Sequence, residues 1–211
     1  MGLRETKMER TRRFIAESAF DLFVEQGYDA TTIEQIAAAA EVGTRTLYRY
    51  YATKEALVVS FVENGLDAAM AAFLAQPDET PLSEALYAVV DSVEQTIGAN
   101  SARLLALYDI FDKTTGLRAG LADLCWSWRQ RLAEEILRRQ GGTGDVLHAA
   151  LTAASTMNVV EVVVQTWTAN AGGVEVADII RETLELLRTK AIPFPTPAGW
   201  RRRVSSARRA P

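Results

Sequence analysis

The chain has 211 residues, 48% hydrophobic and 24% charged, a balance that excludes a disordered or fibrous polymer and describes an ordinary globular protein. Its net charge is −4, so overall charge offers nucleic acid no attraction and any such role must rest on local cations. No uninterrupted apolar run reaches the roughly 18 residues of a membrane span, the start Met-Gly-Leu-Arg-Glu-Thr-Lys lacks a signal peptide's apolar core, and a lone Cys125 precludes an internal disulfide; the expected location is cytoplasmic, without a membrane partner.

A first helix is expected over 9–26. Ile15, Ala19, Leu22 and Phe23 recur at helical spacing, and Gly27 stands where a left-handed C-cap is usual. The next stretch, from Thr31 to Lys54, reads as two short helices about a tight turn. Thr32 can cap the first by accepting from an orphan backbone N–H, and Glu34 and Gln35 suit its first turn. Ile33, Ile36, Ala37 and Ala40 give that helix a narrow apolar stripe, which Glu41-Val-Gly43 interrupts, with Val42 as the apolar plug. In the second helix, over 44–51, Leu47 and Tyr51 lie four apart and face inward together. Thr44, Arg45, Thr46, Arg49 and Tyr50 are left outward. Guanidiniums can read guanine edges, threonine methyls meet thymine, and phenols or ammoniums reach phosphates, so this face suits a DNA major groove. The unit is a helix-turn-helix with its recognition helix second; Thr32, Tyr48 and Lys54 complete the candidate DNA contacts.

At these residues the chain resembles the TetR (tetracycline repressor) family. The resemblance rests on Ala30-Thr-Thr-Ile, Ile36-Ala, Val42, Thr46-Leu-Tyr-Arg-Tyr-Tyr and Lys54-Glu-Ala-Leu57, with Ala19-Phe-Asp-Leu-Phe-Val-Glu-Gln-Gly-Tyr28 ahead of them. It is strong over 10–60 and elsewhere rests on length and helical character. Two positions depart from the family pattern. Glu41 stands where the turn usually has Gly, which puts a non-Gly residue at a position that favours positive φ. Gly43 replaces the usual Ser as the cap of the recognition helix. The resemblance implies an all-α protein, a three-helix headpiece joined to a larger helical bundle that dimerises, with Lys54 at a phosphate-contact position.

A long helix over 53–76 follows, capped by Thr53 and striped by Leu57, Phe61, Val62, Leu66, Met70 and Phe73. At 1.5 Å per residue it spans roughly 30 Å and is the natural lever between headpiece and body. Pro77-Asp-Glu-Thr-Pro81 breaks the pattern. Further helices are expected over 82–97, 102–113, 117–139, 145–170 and 176–190, with Gly141-Gly-Thr-Gly144 and Gly172-Gly173 as turns. Val159-Val-Glu-Val-Val-Val164 has strand composition, yet no partner strand is visible and Ala-rich sequence precedes it, so it reads as helix. The expected organisation is a DNA-binding part over 1–52, a ligand-binding and dimerising part over 53–190, and a disordered tail over 191–211 carrying Pro193, Pro195, Pro197 and five arginines.

An enzyme needs a constellation, and the single His148 and single Cys125 have nothing in the sequence to bring them together; no metal spacing exists and no cofactor is expected. Met70, Phe73, Tyr87, Tyr108, Phe111, Trp126, Met157 and Trp167 are spread over several helices and have two readings, an ordinary core or an apolar ligand cavity closed by few polar groups. Arg103, Asp109, Asn158 and Glu161 are the polar candidates. The family's habit of sensing small molecules favours the cavity, and part of the second half resembles the subgroup whose pocket is like an acyl-CoA site. Val160, Val163 and Val164, with Ile180, Leu184 and Leu187 on the last helix, are the candidate dimer interface. The resemblance thus implies a transcriptional regulator, a repressor, which binds a near-palindromic double-stranded operator as a homodimer and leaves it on binding a small apolar effector. The alternative is a helical DNA-binding module controlled by a protein partner.

Overall fold

The computed structural model describes residues 3–142 and 144–189; the Pro- and Arg-rich tail expected over 191–211 lies outside them. Among the described residues the chain is all-helical, in the order α1 (Leu3–Gln26), α2 (Ile33–Ala39), α3 (Thr44–Tyr50), α4 (Lys54–Leu74), α5 (Leu82–Lys113), α6 (Thr115–Arg139), α7 (Val146–Ala169) and α8 (Val176–Arg188). The valine run lies within α7, as the sequence indicates. The two helices expected over 82–97 and 102–113 are the two halves of α5, which meet at a kink at Asn100, whose φ of −137° leaves the helical region. The Asn100 side chain donates to the Thr96 carbonyl at 3.2 Å and so covers an acceptor that the kink frees. α4 and α7 are each apolar enough over an 18-residue window to cross a membrane by length and composition, which uninterrupted runs do not reveal; both contribute instead to the protein core.

The core falls into two clusters. One gathers Ile15, Phe20 and Phe23 of α1, Ile36 of α2, Leu47 of α3, and Leu57 and Val58 of α4 around Leu107 and Phe111 of α5 and Leu117 of α6. The other gathers Met70 and Phe73 of α4 with Val89, Trp128, Leu132, Met157 and Trp167 from α5, α6 and α7, and is closed by Ile179 and Ile180 of α8. Val62 of α4 and Leu104 of α5 pack against both clusters. The boundary expected near residue 52 is therefore one of role, because packing continues across it. Trp128 ties α6 to α4 by donating its indole N–H to the Leu66 carbonyl at 2.8 Å. At the far end the Arg139 guanidinium sits 5.5 Å over Phe73 and donates to the Gln76 carbonyl, holding the expected break after α4 against α6.

Local chemistry sets the turn between α2 and α3. Thr32 accepts from the Gln35 N–H at 3.2 Å while the Gln35 side chain accepts from the Thr32 N–H at 2.8 Å, a reciprocal cap. At the other end of α2, Val42 donates to the Ala37 carbonyl at 2.9 Å, which requires Glu41 to turn left-handed, and its φ is 51°. Gly27, at φ 90°, makes the same turn after α1 without the Cβ penalty. Gly43 caps α3 with no side-chain hydrogen bond. The left-handed site costs a residue with a Cβ about 1 kcal/mol and a β-branched one more. Glu41→Gly is therefore expected to leave stability unchanged or raise it by up to about 1 kcal/mol, and Glu41→Val to lower it by more than about 1 kcal/mol. Urea denaturation of the three proteins checks the order.

Candidate DNA-binding face and effector cavity

α3 is fixed from beneath by Leu47, fully buried, and by Tyr51, whose hydroxyl donates to the Arg12 carbonyl at 3.2 Å. The Arg12 guanidinium lies 5.6 Å over the Tyr51 ring and donates to Glu63 of α4 at 3.1 Å, so α1, α3 and α4 are locked together. With that side used, Thr44, Arg45, Tyr48 and Arg49 are exposed and Thr46 and Tyr50 half-buried at the edges. Arg49 rests 5.4 Å over the Tyr50 ring, and among the described residues neither Arg45 nor Arg49 is paired with a carboxylate. Two free guanidiniums and several hydroxyls thus stand on one short exposed helix. Thr32 is exposed beside it but spends its hydroxyl oxygen on the α2 cap.

Lys54 stands apart from this group. Its Nζ donates to the Tyr28 carbonyl at 2.7 Å and the Thr31 carbonyl at 3.0 Å, and lies 4.1 Å from the Tyr28 ring centroid. The ammonium therefore holds the α1–α2 loop to the start of α4 and has one donor left for a phosphate. Thr31, buried in that loop, donates to the Gly27 carbonyl at 2.8 Å.

The seam between the two core clusters holds a cavity of about 120 Å3. Phe61 and Leu121 line it from the headpiece side, Leu66, Ile97 and Met157 from the body, and Val62 and Leu104 at the seam itself. Its polar groups are Tyr108, Cys125, Thr96, Glu161 and Gln165. Burial, with Glu161 second, pushes the Cys125 thiol up to about 11, and burial also pushes the Tyr108 phenol up, so both stay neutral at physiological pH. Of the residues picked from sequence, Tyr108, Met157 and Trp167 meet here, and so does Glu161. Met70 and Phe73 are buried farther along α4 in the body core, and Phe111 belongs to the headpiece cluster. Tyr87 and Trp126 are 48% and 58% exposed and face away from the cavity, because α5 and α6 each present one apolar face inward and these aromatics sit on the other. Asp109 is exposed and paired with Lys113 at 2.6 Å, and Asn158 is exposed. Arg103 lies on the flank of the seam, its guanidinium 4.4 Å from the Phe20 ring and 5.4 Å from the Phe61 ring, with Nε and Nη2 lacking hydrogen-bond partners. Phe61 was legible only as part of the α4 stripe, and Leu104 and Cys125 were not singled out for this site, since nothing in their spacing marks a void.

A second, shallower groove runs between α5, α7 and α8. Tyr87, His148, Leu151, Ser155, Leu184 and Leu187 line it, and Leu151 is 59% exposed. Of the candidate interface residues only Leu184 and Leu187 face this groove. Val160, Val163 and Ile180 are buried within the chain's own core, and Val160 and Val164 line the cavity, since the inward stripe of each helix is used first by its own bundle. His148 and Cys125 lie on these two different surfaces, apart from each other.

This geometry defines a helix-turn-helix headpiece on an all-helical body. The family model described as bacterial regulatory proteins, tetR family, matches residues 15–61, so the helix-turn-helix headpiece is that family's DNA-binding domain. It is 36% identical over 146 residues to the HTH-type transcriptional regulator TcmR of Streptomyces glaucescens, a match that covers 66% of this chain and 65% of that protein's length. It is 32% identical over 84 residues to the HTH-type transcriptional repressor NicS of Pseudomonas putida, covering 37% of this chain and 40% of that protein. Its fold is similar to that of the regulator FadR from Bacillus subtilis, solved in complex with stearoyl-CoA, with a TM-score of 0.58 at 19% identity over 83% of this chain and 96% of that one.

Because the Lys54 ammonium satisfies two loop carbonyls, its loss is felt without any ligand. Lys54→Met should lower thermal stability of the free protein by about 1–3 kcal/mol, the cost of leaving those acceptors with a poorer partner. A melting temperature equal to the parent's, with only DNA affinity reduced, would show that the residue acts on phosphate alone.

Proposed function

We propose that the protein is a ligand-responsive transcriptional regulator, a repressor, that binds a near-palindromic DNA operator as a homodimer in the cytoplasm and is released by a small apolar effector. The observation that carries this reading is the pairing of an exposed, unpaired cationic face on α3 with a cavity at the seam that α4 crosses. Thr44, Arg45, Thr46, Tyr48, Arg49 and Tyr50 are the proposed groove and backbone contacts, with Thr32 and the remaining donor of Lys54 at the edge. Names of relatives support the class: TcmR and NicS are named as transcriptional regulators, one of them a repressor. A net charge of −4 leaves affinity to local cations, and two headpieces double the phosphate contacts that one could make.

The dimer surface is proposed at the α5–α7–α8 groove, where Leu151, Leu184, Leu187 and Tyr87 form an apolar face that the single chain leaves uncovered. A helix-bundle contact there would be isologous, each copy offering the same patch. The effector site is proposed at the cavity bounded by Phe61, Tyr108, Met157 and Trp167. A ligand that prefers one spacing of the headpieces moves the population only by its difference in affinity for the two states.

Arg45→Ala is expected to weaken operator binding by about 1–3 kcal/mol and to relax preference at one base position per half-site. Anisotropy titrations against operator and random duplexes read this directly, and equal losses on both would remove Arg45 from base reading. Leu151→Glu places a charge in the apolar groove and should yield monomers in sedimentation at micromolar concentration. A protein that stays dimeric with this substitution has its interface elsewhere. Control by a protein partner, the rival reading, predicts that no small molecule changes operator affinity.

A further inference from the structure

Among the described residues that line the cavity, one carries a carboxylate, Glu161. The cavity wall is apolar from Phe61 round to Trp167, and its polar edge comprises Tyr108, Cys125, Thr96, Gln165 and Glu161. Four of these five are neutral hydrogen-bonding groups. Glu161 of α7 is only partly buried, and among the described residues it is ion-paired with no cation. Arg103 is stacked on Phe20 and Phe61 outside the cavity lining, and Arg131 is paired with Asp67 at 3.0 Å. Arg129, one turn beyond Cys125 on α6, is near enough to favour the thiolate slightly but does not itself line the cavity.

We infer that the cavity selects a compact apolar ligand bearing a cationic or strongly hydrogen-bond-donating end, a protonated amine above all, seated against Glu161 with its ring between Phe61, Met157 and Trp167. The inference rests on the effector-site reading above and narrows it to a ligand class. An unpaired carboxylate at the edge of an apolar cavity attracts a cation more strongly than it would in water, and repels a carboxylate or phosphate by the same physics. Size points the same way. A dry cavity of about 150 Å3 accommodates benzene, so the about 120 Å3 seen here suits a single ring and not a long acyl chain. An acyl-CoA would bring both a long tail and several anionic groups. The neutral Cys125 and Tyr108 donors add hydrogen bonds at this edge without adding positive charge.

Three probes that share one phenyl ring and a short linker separate the possibilities: phenethylamine, phenethyl alcohol and phenylpropionate. Calorimetric titration of the full chain is expected to give the amine at least about a tenfold tighter Kd than the alcohol, with the carboxylate weakest of the three. In Glu161→Gln, which keeps the shape and removes the charge, the alcohol should bind to within about threefold of its parent affinity while the amine's advantage disappears. Retained alcohol binding shows that the variant is folded and the cavity intact. Carboxylate binding as tight as the amine's overturns the inference, as does an amine preference that survives Glu161→Gln, or an amine that gives no binding at millimolar concentration. Operator anisotropy with each probe keeps the two readings apart. If the amine binds through Glu161 and operator affinity does not change, the ligand class stands and the sensor role fails; if only the carboxylate releases operator, the sensor role stands and the ligand class fails.

Discussion

A single helix, α4, has to satisfy two cores at once. Its first turns give Leu57 and Val58 to the headpiece cluster, its last turns give Met70 and Phe73 to the body, and Val62 between them packs on both. α5 mirrors this in reverse, with Leu104 as its shared residue and the Asn100 kink separating the halves. A headpiece of about fifty residues buries too little surface to be strongly stable alone, so α1, α2 and α3 depend on this borrowed apolar surface. The recognition helix is held by Leu47 within the headpiece cluster, and that cluster shares Val62 and Leu104 with the cavity wall. Arg103 reinforces the link by lying over both Phe20 of α1 and Phe61 of α4, whose rings meet edge to face at 5.1 Å.

The position of the cavity follows from that constraint. The void lies where Phe61, Val62 and Leu104 pass from one cluster to the other, at the seam where packing is least complete. Occupying a void at a seam changes the relative placement of the two sides more readily than occupying one inside a core, because fewer close contacts must be remade. This gives a physical route for coupling of the usual size, about 1–3 kcal/mol between two sites. It requires no pathway beyond the shared residues themselves.

Much of this was legible in the sequence, for identifiable reasons. Spacing alone put Leu47 and Tyr51 inward and so turned Arg45 and Arg49 outward, since a two-turn helix on a core has only one other face. The strained turn was legible through the family resemblance, which puts Glu41 where a Gly is usual, and its φ is 51°. Periodicity fails where a helix is apolar on most of its circumference. α7 gave no basis for deciding which of Val160, Val163 and Val164 faced a partner, and its own bundle takes Val160 and Val163. Aromatic type was also a poor guide to the cavity: Trp126 and Tyr87 point to solvent, while Cys125 and Leu104 line the void. Voids arise from mismatched packing between elements distant in sequence, and no local pattern encodes them. Lys54 shows a further limit, since a motif position names a residue's neighbourhood but not the carbonyls its ammonium will meet.

The central claim, that headpiece and body form one cooperative unit through α4, is tested most directly by native-state hydrogen exchange across α1 to α7. If the shared core holds, the slowest amides around Ile15, Ile36 and Leu47 exchange with the same opening free energy and denaturant dependence as those around Trp128 and Leu132, the signature of global unfolding. Opening of α1–α3 at a free energy several kcal/mol lower, with a smaller denaturant slope, would contradict the account by showing a headpiece that unfolds by itself.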